Sequence, residues 1–565
     1  MKFDEVISLL GEFGPYQKRI YFLLCLPAIT CCMQLLVTVF SMAIPPHRCA
    51  VPGLDNDTFA IQTPQHKALV NISIPPGDSC NVIESPNILN DTTNVGLVGW
   101  TGQGSQVKRS NNSDMEAVPC SRYVYDKSVF TSTIVTQMDL VCEKQYSKSH
   151  AQMITMLGAF LGTLTCQPSS DIFGRKKVFL MSLVVHALAS LATTWSTFFP
   201  LLCFFMFING AANVGVFANA FVIGIEFVGP SKRVWTGYVI EIFWSFGMIL
   251  LALLAYFLRD WQHLQLATSI FPFAFLSYAW VIPESPRWLL SKGRVQEAEE
   301  IIRKAAKVNK VLLPANVLDS ASLEIQEHVS VLAIFRHPVL LLRCTIIFFN
   351  WFVVSLAFYG LGLNVGSLGG SVYINFLLSG LMELVSYVLC LGLLDRLGRR
   401  PLNCGLMMVA GLACTLTIFP VLYAPPSHQW VTTALAMIGK LGIGGAFATI
   451  WVYSSELFPT VVRSSGMGFS SSCARIGALI SPYIANLSTI IGGNAGTAIP
   501  LLIFGLPSIV AGLLLLILPE TLNRSLPESV DDAVVFGREV VVDSSKNVYH
   551  LTNCKETRSD EKDML

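Results

Sequence analysis

Along this 565-residue chain, apolar and polar positions come in blocks rather than in alternation. A helix of about 20 apolar residues crosses a ~30 Å hydrocarbon layer. On that template the chain predicts twelve spans, at 21–44, 150–170, 178–198, 200–225, 235–257, 262–282, 339–361, 371–394, 402–424, 431–453, 466–488 and 497–518. They fall into two groups of six. Residues 1–20 are polar and mixed in charge, and the run at 21–44 is too long for the apolar core of a cleavable leader, so it reads as a retained first span. Polar segments at 45–149 and 283–338 interrupt the spans. After 519 the chain turns polar again, and beyond 528 it is expected to be disordered.

Composition agrees with this pattern. Hydrophobic residues make up 53% and charged residues 13%, against roughly 25% charged in soluble domains. Mean hydropathy is +0.56. The net charge of +1 and the lack of a basic run give no reason to expect a nucleic-acid partner. The lipid bilayer is the expected surrounding, and oligomeric state is not legible.

The two interruptions differ in chemistry. Segment 45–149 holds sequons at Asn56, Asn71, Asn90 and Asn111 beside Cys49, Cys80, Cys120 and Cys142. Four sequons with four cysteines predict an oxidised, glycosylated extracellular loop with two disulfides, in any of three connectivities. Most of the other cysteines lie in apolar runs, where a thiol acts as a small hydrophobe. Sequons at Asn486 and Asn523 are read as unused. Segment 283–338 is rich in Lys and Arg, which places it and both termini in the cytosol. Within it, "VQEAEEIIRKAAKV" predicts a helix with Glu299–Arg303 and Glu300–Lys304 one turn apart. No zinc-ligand spacing or phosphate-binding loop occurs, so no metal, cofactor or ATP-driven step is expected.

The two groups of six carry a repeat. "DIFGRKK" (171–177) returns as "DRLGRRP" (395–401), "EFVGPSKR" (226–233) as "ELFPTVVR" (456–463), and "PESPRW" (283–288) as "PETLNR" (519–524). The offsets are 224, 230 and 236 residues, in the same order. Gly174 and Gly398 allow tight turns between helices. Asp171, Arg175, Glu226, Arg233 and their counterparts Asp395, Arg399, Glu456, Arg463 can pair at helix ends. Such contacts could hold the inner faces of the halves together and release them, forming a gate.

These residues resemble the major facilitator superfamily and, within it, the organic cation, anion and zwitterion transporters. The most specific pieces are "YDKSVFTSTIVTQMDLVCEK" (125–144), "PESPRWLLSKGR" (283–294), "DRLGRR" (395–400) and "ELFPTVVRSSGMG" (456–468). "AYFLRDW" (255–261), "GKLGIGGAF" (439–447) and "ARIGALISPY" (474–483) look most like the carnitine and zwitterion branch. The resemblance implies an all-α membrane protein: twelve transmembrane helices in two six-helix bundles, a large extracellular loop between spans 1 and 2, alternating access, and a central cavity. Ile172 and Gln167 stand where the family usually has arginine and glycine, and Met206 where arginine is common, which predicts a weaker charge network in the N-terminal half.

Ionisable residues inside spans are costly and point to function. Glu383 lies 12 residues before Asp395 and Arg475 lies 12 after Arg463, so both sit ~18 Å from the inner surface at 1.5 Å per residue. Two readings follow: the two charges pair structurally, or both face a wet cavity. The resemblance favours the cavity, with Arg475 meeting a substrate carboxylate and Glu383 an ammonium. Glu241 is a further candidate for substrate or proton. Lys440 is a candidate with a structural alternative, and His186 reads as a satisfied bundle residue. Trp351, Phe358 and Tyr359 on span 7 and Tyr453 on span 10 are the expected aromatic lining, since aromatic faces suit quaternary ammonium groups. Asn209, Asn213 and Asn219 could hydrogen-bond a ligand or a neighbouring helix.

The expected function is a plasma-membrane secondary transporter, not an enzyme, that moves small organic ions and above all carnitine-like zwitterions and organic cations. An organic anion transporter and a non-transporting receptor or scaffold are the alternatives.

Overall fold

A computed structural model of the chain describes residues 3–83, 117–314, 337–524, 526–527, 529–537, 539–542 and 549–552. Twelve long helices form spans 1 to 12: Pro15–Leu36, Ser147–Phe173, Arg175–Thr194, Phe199–Glu226, Arg233–Phe257, Trp261–Ala274, Pro338–Asn364, Val372–Leu397, Arg399–Leu416, Trp430–Leu457, Arg463–Ala485 and Gly493–Leu515. Counted with the short helical turns that continue them, as span 6 continues to Val281, eleven of these described helices are long and apolar enough to cross a membrane by length and composition. Span 2 is the exception. It has the length, 27 residues, but carries Thr163, Gln167 and Asp171 on the face that lines the central cavity. Its polarity is that of a helix whose partner is water on one side.

Local chemistry sets the helix starts. Proline occupies the first turn of spans 1, 4 and 7, where its missing N–H costs nothing. Span 1 begins at Pro15 rather than at 21, because the polar turn Tyr16–Arg19 is helical too. Asp260 caps span 6 by accepting from the Gln262 and His263 amides at 2.9 and 3.3 Å, which gives the "RDW" motif its physical reason.

The loop between spans 1 and 2 is a small disulfide-bonded unit. Strand His47–Cys49 pairs antiparallel with Tyr123–Tyr125, and Asn81–Ile83 with Ala117–Pro119. Of the three open connectivities, the chain adopts Cys49–Cys120 and Cys80–Cys142, each with Cα atoms 5.6 Å apart. Asn56 and Asn71 are exposed on this unit; Asn90 and Asn111 lie outside the described residues. The unit sits at one end of the bundles, the loop end. Its 128–137 segment is bonded to the span 5–6 turn through Thr131 N to Arg259 O (3.0 Å) and Trp261 Nε1 to Gln137 Oε1 (2.7 Å).

At the opposite end, the motif end, the predicted helix forms as Val295–Asn309, with Arg303 and Glu299 paired. Asn309 ties it to the N-terminus, donating to Leu10 O and Gln17 Oε1 at 3.0 and 2.8 Å and accepting from Tyr16 N. The expectation of disorder after 528 is corrected for the first residues of the tail. Val530–Val535 is a helix, and Arg343 of span 7 holds its C-terminal carbonyls, donating to Ala533 O and Phe536 O at 2.7 and 2.8 Å. A cation at a helix C-terminus is favourable twice over, through hydrogen bonds and through the helix dipole.

Candidate functional site

The repeated motifs build matching corners at the motif end. Gly174 and Gly398 link spans 2–3 and 8–9 with φ of +113° and +94°, a region closed to most L-residues. Glu284 accepts from Lys176 N at 2.9 Å. Glu520 accepts from the Arg399 and Arg400 amides at 3.0 and 2.9 Å. Each glutamate therefore satisfies the free amides at the start of a span. Arg175 pairs with Asp171 and, at 3.5 Å, with Glu226; Arg399 pairs with Asp395 at 3.1 Å and Glu456 at 3.2 Å.

One sequence expectation is corrected here. Each of these pairs joins helices of the same half, so in this conformation they do not hold the two inner faces together. Between the corners the bundles stand apart and a cavity opens. The charge network of the N-terminal half forms, with Ile172 exposed beside it, but it is the weaker of the two: Arg175 Nε and Glu226 Oε2 have no hydrogen-bond partner among the described residues, whereas Arg399 Nε reaches both Glu456 oxygens at 3.3 and 3.2 Å. Gln167 lines the cavity, and Met206 packs in a buried apolar cluster.

The cavity has a volume of about 1130 Å³. It runs from Asp171, Arg233, Glu456 and Arg463 at the motif end to Glu241, Trp244, Phe358, Tyr359 and Arg475 midway along the bundles. Glu241 comes from span 5 and Arg475 from span 11, so the two halves supply opposite charges. Arg475 is half-buried. Its Nη1 donates to Tyr359 Oη at 3.4 Å, and its Nε is buried without a hydrogen-bond partner among the described residues. A guanidinium in a cavity wall is able to donate charge-assisted hydrogen bonds to a carboxylate.

Neither reading of Glu383 holds: it does not line the cavity, as the favoured reading expected, and it does not pair with Arg475, as the alternative had it. Glu383 is fully buried and lies 3.0 Å from Lys440 Nζ, with Tyr387 Oη donating to it at 2.9 Å. Lys440 likewise stands outside the cavity lining. Its ammonium sits 3.9 Å over the Phe358 ring and donates to Phe358 O at 3.3 Å. The two residues form a neutral pair behind the cavity wall.

The aromatic lining is partly relocated. Phe358 and Tyr359 face the cavity. Trp351 is covered by Trp451, with ring centroids 4.6 Å apart, and donates to Ser454 Oγ at 2.9 Å. Tyr453 donates to Pro519 O at 2.7 Å. Two residues along a helix is a turn of about 200°, so with Trp451 on the lining, Tyr453 faces away. Trp244, Phe447 and Trp451 are lining residues that the sequence reading missed. Their signal was spacing: Trp244 follows Glu241 by three, and Phe447 and Trp451 are four apart.

Asn213 lines the cavity and donates to Cys31 O at 2.8 Å. Asn209 donates to Gln34 Oε1 at 3.3 Å, and Asn219 to Gly215 O at 2.7 Å within its own helix. His186 lies in the bundle beside Asn209. It is fully buried, and neither ring nitrogen has a hydrogen-bond partner among the described residues.

Comparison with known proteins agrees with this architecture. Residues 118–531 match the family described as "Sugar (and other) transporter". The chain is 41% identical to the organic cation transporter protein of Drosophila melanogaster, covering 95% of this chain and 96% of that one. It is 32% identical to the human organic cation/carnitine transporter 2 (94% and 93%) and 33% identical to human solute carrier family 22 member 12 (94% and 96%). Among solved structures, the inward open E. coli xylose transporter XylE superimposes with a TM-score of 0.58 at 14% identity, over 92% of this chain and 99% of that one, a likeness of fold. The chain belongs to the major facilitator superfamily and, within it, to the solute carrier 22 family of organic-ion secondary transporters.

Proposed function

We propose that the protein carries small zwitterions and organic cations, carnitine-like betaines foremost, across the plasma membrane by alternating access. The observation that carries this reading is that Arg475 and Glu241, from opposite bundles, line one cavity. Arg475 takes the substrate carboxylate. Glu241, rather than Glu383, takes the cationic end, with the faces of Trp244, Phe358, Phe447 and Trp451 around it. The names of the relatives, which include organic cation and carnitine carriers, support the substrate class.

The loop end is the outside and the motif end the cytosol, with both termini inside. The disulfides and the Lys- and Arg-rich 283–314 segment support that orientation. Glycans on Asn56, Asn71, Asn90 and Asn111 belong to the same picture. The conformation is then inward-open. The corners at Asp171, Gly174, Arg175, Glu226 and Arg233 and at Asp395, Gly398, Arg399, Glu456 and Arg463 are the gating surfaces that meet when the bundles rock back.

The test is uptake of labelled carnitine, tetraethylammonium and a dicarboxylate by cells expressing wild type or Arg475→Asp at equal surface amounts. The variant should lose carnitine uptake and keep or gain tetraethylammonium uptake. Unchanged carnitine uptake would remove the assignment of Arg475.

A further inference from the structure

Spans 2 and 11 belong to different halves, and they behave differently at their two ends. At the inner end they diverge: Thr163, Gln167 and Asp171 of span 2 and Met467, Ser471 and Ser472 of span 11 line the open cavity. At the outer end they touch through polar side chains. Asn486, the residue after span 11, donates from Nδ2 to Ser149 Oγ at 3.0 Å and to Gln152 Oε1 at 2.9 Å on span 2. Gln152 in turn donates to Thr38 Oγ1, just beyond span 1, at 3.3 Å. All four residues are buried: Ser149 0%, Gln152 2%, Asn486 4% and Thr38 5% exposed. Beside them, His150 and Tyr483 meet edge to face across the same seam, 5.8 Å between centroids.

The opposite seam, between spans 5 and 8, is closed by different chemistry. Tyr373 of span 8 packs edge-on to Tyr256 of span 5 at 5.7 Å and stacks on Phe40 at 5.8 Å. The outer end is thus shut by rings on one side and by hydrogen bonds on the other.

We propose that Asn486 is the latch of the outer gate: its amide, shared between Ser149 and Gln152, closes the span 2–11 seam in the inward-open state and must release before the outside can be reached. The chemistry suits a contact that is made and broken in every cycle. A hydrogen bond exchanged for water has a small net free energy, whereas a buried acceptor left without its donor carries the full desolvation penalty. The bond therefore costs little to open when water enters, yet its loss while the seam is shut is penalised. Removing the donor penalises only the closed outer end. The proposal rests on the alternating-access cycle and not on the substrate assignment, so either can fail alone.

Tyr146 and Ile491 stand exposed at the outer ends of the two halves and take fluorophores through unnatural amino acids. Single-molecule energy transfer between them, in purified full-length protein without substrate, reads the outer opening directly. Asn486→Leu should raise the ratio of outward-open to inward-open molecules about tenfold or more, because the buried Ser149 Oγ and Gln152 Oε1 both lose their donor. Ser149→Ala, which removes one of two acceptors, should raise it less. Should Asn486→Leu fail to fold, Ser149→Ala combined with Gln152→Leu removes both acceptors, leaves the Asn486 amide unpaired at the shut seam, and carries the same expectation. Conversely, Ser149→Cys combined with Asn486→Cys should, on oxidation, abolish the long-distance population, and each single cysteine should not. Distances unchanged from wild type in the leucine variant that folds, or a persistent long-distance population in the cross-linked protein, would overturn the latch.

Discussion

The ammonium of Lys440 lies 3.0 Å from a carboxylate oxygen of Glu383, and both residues are buried, at 3% and 0% exposure. The pair stands behind the aromatic wall, since the same ammonium rests over the ring of Phe358. Removing one member leaves the other charge stranded, a loss of about 3–5 kcal/mol. Glu383→Leu and Lys440→Met should therefore each lower the thermal midpoint of the purified protein strongly. The double variant, with no stranded charge, should recover most of that loss. Additive losses in the double variant would show that the two groups do not act as a pair.

Gly174 and Gly398 make a second prediction, because a side chain at either meets two obstacles. Each has φ in the positive region, and an added Cβ would lie 2.6 Å from Glu284 Oε2 or 2.8 Å from Glu520 Oε2. The backbone term alone is about 1–2 kcal/mol. Gly174→Ala and Gly398→Ala should each reduce thermal stability by at least that amount. Glu284→Gln should be milder, because one glutamine oxygen can still accept from the Lys176 amide; Glu520→Gln should lose more than Glu284→Gln, because the Arg399 and Arg400 amides use different oxygens of Glu520 and the glutamine nitrogen would face one of them. Wild-type stability in both alanine variants would contradict the matched corners.

These two cases show where sequence reading reached and where it stopped. The corners were legible because they are local: a glycine, an acid and cations within a few residues, copied once at nearly constant offset. The disulfide-bearing loop was legible for the same reason, though not its connectivity, which depends on how the two small sheets bring distant strands together. The partner of Glu383 was not legible. Depth can be counted along a helix, but which charges meet depends on the rotation of each span about its axis. That phase placed Glu383 against Lys440 and left Arg475 to the cavity. Trp351 and Tyr453 were misplaced by the same unknown, while the cavity that Glu241 and Arg475 line joins different halves and has no local signature.

The cavity charges predict a selective change in Glu241→Gln. A quaternary ammonium has no N–H and is held by charge alone; at ~4 Å that attraction is about 1–4 kcal/mol, so loss of the carboxylate should raise the half-saturation constant for tetraethylammonium and for carnitine about tenfold or more. A dicarboxylate should be taken up no worse than by wild type, since the variant makes the cavity less negative. Concentration series at matched surface expression measure this directly. Equal weakening for all three substrates would point to a packing defect and count against a charge-reading role.

The extracellular unit predicts a response to acid. Asp57 has a buried carboxylate that accepts from Arg48 Nη1 and Nη2 at 2.8 and 2.6 Å and from Val51 N at 2.8 Å. His66 closes the cluster. Its Nδ1 accepts from Gln62 N at 3.2 Å, which leaves Nε2 to donate to Asp57 at 2.9 Å. Burial pushes the Asp57 carboxyl up, but the hydrogen bonds and charge of Arg48, with the Val51 amide, outweigh it and hold the group below its ordinary value. An acid whose pKa is depressed by folding adds stability above its unfolded value, about 3.9, and loses it as pH falls through the folded value. Proteolysis of the loop on intact cells should thus show no dependence on this group between pH 5 and 8 and a rise in cleavage during brief exposure below about pH 4. Asp57→Asn strands the buried Arg48 guanidinium, a loss of about 3–5 kcal/mol, and should make the loop susceptible at every pH. A loop equally resistant at pH 7 in wild type and Asp57→Asn would show that the Arg48–Asp57 cluster does not hold it.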